Sequence, residues 1–141
     1  DTKNRKKNTT VAMDYGMIKL DDGEMIHLYG TPGQDRFNFM WEILTEGGIG
    51  LVLMIDNNRP DPIADMVFFT NFFRDFIKNT ALVVGISRMD LNRTTTIENF
   101  QRCLKDQDIV APVFEVDGRK PNDIAILVQA LLFSLNPDLA A

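Results

Sequence analysis

The sequence has few of the residues that build covalent or metal-bound frameworks. Its 141 residues include one cysteine, Cys103, and one histidine, His27. A disulfide needs a second cysteine, and a structural zinc site needs several cysteine or histidine ligands, so these residues can form neither. His27 also lacks a nucleophile partner within its own apolar stretch. We therefore expect Cys103 to be an inert helix residue and His27 to lie on one face of a strand.

Long apolar runs and an excess of positive charge are also missing. No stretch reaches the ~18 apolar residues of a membrane span. Fifteen basic residues against twenty acidic ones leave a net charge of −5, which argues against broad binding to a nucleic-acid backbone. An apolar content of 45% with 25% charged residues is typical of a globular chain. We expect one cytoplasmic domain over residues 1–141, with no membrane span and no nucleic-acid partner.

Strand and helix patterns alternate along the chain without an internal repeat. Residues 11–20 and 24–29 are β-type runs joined through Asp-Gly, a strong hairpin signal, so they should pair antiparallel. Nearly unbroken apolar runs indicate strands buried on both faces. Such runs predict parallel strands at 49–55 and 81–86, and residues 113–116 are predicted to form a further short strand.

Helical spacing of apolar residues fills the stretches between these strands. Asp61 and Pro62 form a start signal, and Thr95 with Glu98 forms a capping box. The predicted helices cover residues 35–45, 61–78, 95–105 and 121–135. The fold class is therefore α/β, a three-layer sheet with one antiparallel edge hairpin.

Polar residues follow each predicted strand, where α/β folds bind ligands. These residues are 30–34, 56–58, 87–90 and 117–119. Asp90 is the strongest candidate, because its carboxylate could accept two N–H bonds from the edge of a guanine. The alternative is that Asp90 only caps the turn before Leu91, as aspartates often do.

The segment from Gly30 to Phe37 reads Gly-Thr-Pro-Gly-Gln-Asp-Arg-Phe directly after an apolar run. It resembles the Asp-x-x-Gly-Gln switch of Ras-like small GTPases, except that Gly30 stands where the metal-side Asp is expected. The resemblance implies that the Gly33 amide senses the γ-phosphate and that Gln34 orients the attacking water, as the catalytic residue.

Further motifs extend this resemblance over essentially the whole chain. The segment from Ser87 to Asp90 is similar to the Asn/Thr-Lys-x-Asp guanine motif, with its first two positions changed. Thr10 resembles the switch threonine that closes on magnesium. The group that the chain most resembles is the bacterial small GTP-binding proteins, distant relatives of gliding-motility GTPases and of the signal-recognition receptor beta subunit. The nucleotide contacts implied are Thr10, Gly33, Ser87, Arg88, Asp90, Asp117, Gly118 and Arg119, with Thr10 also at the metal.

One expected motif is absent, because Gly-x-x-x-x-Gly-Lys-Ser/Thr does not occur in the sequence. We expect the chain to be an N-terminally truncated fragment that lacks the first strand and the P-loop, although a natural protein without a P-loop would look the same. In the Ras-like order the missing strand lies between the strands at 24–30 and 49–56. These two strands should then belong to one sheet, directly paired, separated by a missing segment, or closed by a second copy in a homodimer.

Two functions remain open. The resemblance implies a GTP-binding switch, with Mg²⁺ and GTP or GDP bound in the intact protein, and with GTP hydrolysis impaired in this fragment. The alternative is a GTPase-like interaction module that no longer cycles. In both cases residues 31–45, which include several aromatic side chains, would bind a regulatory or effector protein.

Overall fold

The computed structural model describes residues 14–19, 25–30 and 49–135, the first two ranges by their backbone alone. The chain divides into two compact units, Asp1–Ile49 and Gly50–Ala141. The predicted helix at 35–45 and the predicted effector segment at 31–45 lie outside the described residues.

The first unit contains two strands, β1 (Asp14–Lys19) and β2 (Met25–Gly30). They pair antiparallel, with Tyr15 opposite Tyr29. They form a two-stranded sheet of their own, so the expectation that this hairpin is an edge of the larger sheet is not supported.

The larger sheet lies in the second unit and contains β3 (Leu51–Asp56), β4 (Leu82–Ser87) and β5 (Val113–Glu115). All three strands are parallel, in the order β3-β4-β5. β4 is central, and its residues 82–86 are all buried. The buried parallel strands therefore follow the apolar runs, with bounds that differ from the predicted ones by up to two residues. β2 and β3 lie in different sheets, which does not support the predicted Ras-like order.

Four helices accompany this sheet: α1 (Pro62–Phe72), α2 (Arg74–Asn79), α3 (Ile97–Asp106) and α4 (Pro121–Leu135). No described helix combines the length and apolar character needed to cross a bilayer. The expected single helix at 61–78 is divided in two at Phe73, whose φ of −96° and ψ of 18° leave helical geometry. Phe73 is buried, so core packing accompanies this break.

The two helix starts show how closely a cap can be predicted. Asp61 caps α1 as expected, with its Oδ1 accepting from the Ala64 N–H at 3.0 Å. The cap of α3 is one residue later than predicted: Thr96 and Asn99 form the reciprocal capping box, instead of Thr95 and Glu98. Three consecutive threonines offer the same cap side chain, and the helix register selects the last of them.

The core lies on both faces of the sheet. On one face Leu127 and Leu131 of α4 pack with Val83 and Val116. Successive strand residues point to opposite faces, so the buried Leu82, Val84 and Ile86 face the other side. There α1 contacts β3 and α3 contacts β5. The second unit is thus a helix–sheet–helix arrangement, compatible with a P-loop-like α/β fold.

Candidate functional site

The carboxyl ends of β3 and β4 lie side by side. Asp56 is the register partner of Ser87, and the Asn57 N–H donates to the Ser87 carbonyl at 2.9 Å, one residue beyond the strand. On the other side of β4, the Val116 N–H donates to the Ile86 carbonyl at 2.9 Å. The loops after β3, β4 and β5 therefore begin at one edge of the sheet, where α/β folds bind ligands.

The loop after β4 starts with a tight turn. Arg88 has a φ of 60°, a left-handed conformation that is uncommon for residues other than glycine. The Leu91 N–H closes the turn onto the Arg88 carbonyl at 3.1 Å. The Ser87 hydroxyl donates to the Ile55 carbonyl of β3 at 3.4 Å. This predicted nucleotide contact therefore makes its hydrogen bond within the sheet. The turn thus leaves Asp90 as its exposed acidic residue.

Arg88 also lies near an acidic residue of the neighbouring strand end. Its guanidinium is 3.6 Å from the Asp56 carboxylate, and both side chains are partly exposed. A solvent-exposed pair at this distance contributes little to stability. Within the described residues no hydrogen bond holds the Asp90 carboxylate, which is available to accept one from a ligand.

The loop after β5 is closed by a carboxylate and a guanidinium. Arg119 donates from Nε and Nη2 to the two oxygens of Asp117 at 2.9 and 2.8 Å, and its backbone N–H donates to Oδ1 at 3.0 Å. These bonds hold the pKa of Asp117 well below its ordinary value. The Asp117 N–H in turn donates to Asp123 of α4 at 2.8 Å, which fixes the loop to the helix.

The loop after β5 lies beside the loop that contains Asp90, because Val116 and Ile86 are hydrogen-bonded where the two strands end. The pKa of Arg119 is raised mainly by its hydrogen bonds to Asp117, with a further contribution from the charge of Asp90. The structure therefore brings five predicted nucleotide contacts to one sheet edge and places Asp117 in a pair with Arg119. The sixth predicted contact among the described residues, Ser87, is the last residue of β4. Gly118 is exposed at the tip of the turn.

Thr10, Gly33 and Gln34 lie outside the described residues. The predicted phosphate, magnesium and catalytic contacts therefore stay predictions.

Asn57 is a residue of this edge whose importance the sequence did not reveal. Its side chain is fully buried, and it exchanges hydrogen bonds with the loop that contains Asp90. The sequence shows only that Asn57 follows an apolar strand between two other polar residues. The one available signal is its position at a parallel strand end.

An uncharacterized protein of Methanocaldococcus jannaschii, MJ1339, is 40% identical over 53 residues. The aligned segment covers 38% of this chain and 34% of the relative, so the chain matches about a third of that protein's length.

A family model described as "Conserved hypothetical ATP binding protein" matches residues 2–134. This match covers most of the sequence and supports nucleotide binding as the function, without singling out the Ras-like GTPases or guanine. The chain belongs to this family of conserved hypothetical ATP-binding proteins.

Proposed function

We propose that this protein binds a purine nucleotide at the carboxyl edge of the parallel sheet, with guanine as the preferred base. The observation that carries the proposal is that the turn containing Asp90 leaves β4 beside the turn of residues 117–119, which leaves the neighbouring strand β5. The Val116 N–H joins the two strand ends by donating to the Ile86 carbonyl at 2.9 Å. Both turns lie outside the carboxyl ends of parallel strands, which is the edge at which α/β sheets bind ligands. The family membership independently supports a nucleotide as the ligand.

The preference for guanine rests on hydrogen-bond chemistry. Guanine presents two donors, the N1 and N2 hydrogens, and the unpaired Asp90 carboxylate has two oxygens that accept. Adenine presents an acceptor at N1 beside its single donor group at N6, so one carboxylate oxygen would face a lone pair and stay unpaired. An unpaired acceptor that the bound base shields from water costs about 1–3 kcal/mol, a factor of roughly 5 to 150 in favour of GTP.

ATP is the second candidate, because the family description names ATP. In that case Asp90 would cap its turn, and the base would bind through other groups of the same edge. The two nucleotides share the phosphates and the ribose, so only the base contacts distinguish them.

The proposed activity is a GTP-dependent switch. Gln34 would orient water, Gly33 would sense the γ-phosphate, and Thr10 would complete a magnesium site. The chain has no Gly-x-x-x-x-Gly-Lys-Ser/Thr motif, so the phosphates would lack the amides and lysine of a P-loop. We therefore expect weak binding of GTP by this chain and negligible hydrolysis.

An amide NMR titration of the isotope-labelled full chain with magnesium and GTP, ATP or inorganic triphosphate tests the proposal. GTP should shift the amides of residues 87–90 and 117–120 at lower concentration than ATP, and triphosphate should leave them unchanged. If triphosphate shifted these amides as much as GTP does, they would respond to the phosphates, and the base would have to bind elsewhere. Sub-micromolar affinity would contradict the expected weak binding and would require a different phosphate site.

A further inference from the structure

Asn57 is a polar side chain that is completely buried immediately after β3. Burying an amide is unfavourable unless its donors and acceptors find partners. The contacts of this amide are therefore informative about what it does.

The Asn57 side-chain nitrogen donates to two backbone carbonyls of the loop after β4. The distances are 2.8 Å to the Asn92 oxygen and 3.3 Å to the Thr95 oxygen. Because both partners are acceptors, the group between them must be a donor, which assigns Nδ2 to this side of the amide. One side chain thus binds the loop at two points, just beyond Asp90.

The Asn92 side chain also binds Asn57. Its Nδ2 donates to the Asn57 carbonyl at 3.0 Å, and its Oδ1 accepts from the Thr94 N–H at 3.0 Å. The two asparagines form a reciprocal contact, here termed the Asn57–Asn92 clasp. It joins the end of β3 to a loop that lies 35 residues later in the sequence.

The other half of the Asn57 amide is left without a partner. Its Oδ1 is buried and accepts no hydrogen bond among the described residues. An unsatisfied buried acceptor is costly, so the amide is a poor choice for packing alone. What it supplies, and an apolar side chain could not, is the pair of hydrogen bonds from Nδ2.

The loop that receives these bonds begins in a strained conformation. Arg88 holds a left-handed φ of 60°, and such conformations persist only where the surroundings restrain them. The ion pair of Arg88 with Asp56 is long and exposed, and restrains it weakly. The Asn57–Asn92 clasp holds the other end of the same loop.

We infer that Asn57 is a positioning residue, which fixes the loop of residues 88–95 and thereby places the Asp90 carboxylate for base recognition. The inference concerns Asp90's role and so rests on the proposed function. Asn57 itself does not touch the nucleotide. Loss of its donor should let Arg88 relax and Asp90 move, while β4 stays intact.

The test compares Asn57→Ala with Asn58→Ala in the full chain. Asn58 is the adjacent residue, has the same side chain and is exposed, so its variant is a matched control. Hydrogen exchange of the amides at 88–95 should become about tenfold faster in Asn57→Ala, with exchange in β4 unchanged. Asn58→Ala should match the wild-type chain at both places.

The second readout is the ratio of GTP to ATP affinity, measured by the NMR titration. A general loss of stability would weaken the binding of GTP and ATP alike. Displacement of Asp90 should instead reduce the ratio of GTP to ATP affinity several-fold, and only in Asn57→Ala. If Asn57→Ala fails to fold, Asn92→Ala removes the other half of the clasp at a half-buried site. Because both bonds from Asn57 Nδ2 remain in that variant, it should give the same pattern with smaller changes.

Unchanged exchange at 88–95 in a folded Asn57→Ala variant would overturn the inference. So would an unchanged ratio in a variant whose loop exchanges faster. A wild-type chain that binds GTP and ATP equally would instead overturn the guanine assignment, and the exchange result alone would then decide whether Asn57 orders the loop.

Discussion

Arg119 binds both carboxylate oxygens of Asp117, two residues earlier in the chain, at 2.8 and 2.9 Å. The pair closes the turn after β5 and occupies the carboxylate that the sequence predicts as a nucleotide contact. A ligand that uses Asp117 must therefore compete with Arg119. Asp90 has no such partner among the described residues, and it is the better placed carboxylate for a base.

The first prediction concerns the protonation of Asp117. Its pKa in the folded chain is lowered, so the stabilisation from the pair is present above the ordinary pKa near 3.8 and is lost as the pH falls below it. Arg119→Gln should raise the pKa of Asp117 toward 3.8, but not fully, because the Arg119 backbone N–H still donates. A carboxyl-carbon NMR titration measures this.

Salt provides the control for that titration. Arg119 is exposed to solvent and Asp117 is partly exposed, so high salt should reduce the difference between the wild-type chain and Arg119→Gln. An ordinary pKa of Asp117 in the wild-type chain at low salt would contradict the pairing.

The second prediction concerns the end of α3. Asp108 has a φ of 61°, and the N–H groups of Asp108 and Ile109 donate to Lys105 and Leu104 at 2.9 Å, the Schellman pattern that usually carries glycine. Left-handed backbone costs ~1–2 kcal/mol for most residues and less for aspartate, and glycine gives back part of the gain through its larger chain entropy. Asp108→Gly should therefore raise the free energy of unfolding by about 0.5 kcal/mol.

Asp106→Gly is the matched control, because Asp106 is the last residue of α3 in helical conformation. There glycine should lower stability by a few tenths of a kcal/mol. Urea unfolding of both variants measures the two effects. If both substitutions changed the free energy of unfolding in the same direction, the left-handed backbone at Asp108 would not be the cause of the change there.

The third prediction concerns the close approach of α4 to β4. A Cβ at Gly85 would lie 2.8 Å from Leu127 Cδ1 and 3.0 Å from Met54 Sδ. Gly85→Ala should therefore destabilise the chain by about 1–3 kcal/mol through overpacking. At Gly118 the nearest atom is 3.6 Å away, so Gly118→Ala should change the free energy of unfolding by less than ~0.5 kcal/mol.

Thermal unfolding of the two alanine variants compares these sites directly. A Gly85→Ala chain as stable as Gly118→Ala would contradict the overpacking and would mean that the Leu127 and Met54 side chains shift at little cost.

Much of the second unit could be predicted because its signals are local. The apolar runs at Leu51–Asp56 and Leu82–Ser87 identify buried parallel strands, and the pattern of Pro121–Leu135 identifies the last helix. Local signals failed where tertiary packing decides. Helical spacing continues through Phe73, yet the helix breaks there.

The candidate site could be predicted only in part for the same reason. Placing Asp90 and residues 117–119 at one edge follows from the rule that parallel strands end together. The contact between Asn57 and Asn92 could not be predicted, because it joins residues 35 apart through a backbone carbonyl that every residue has. Nor does composition show that β1 and β2 form their own sheet.

The most direct test of the account is the ratio of GTP to ATP affinity in the wild-type chain, in Asp90→Asn and in Asp75→Asn, measured by amide NMR titration with magnesium. Asp75 is an exposed residue of α2, so its variant makes the same change in charge away from the sheet edge. We predict that wild type and Asp75→Asn prefer GTP by about tenfold, and that Asp90→Asn loses most of this preference. Equal binding of both purines by the wild-type chain, or an unchanged preference in Asp90→Asn, would contradict base recognition by Asp90.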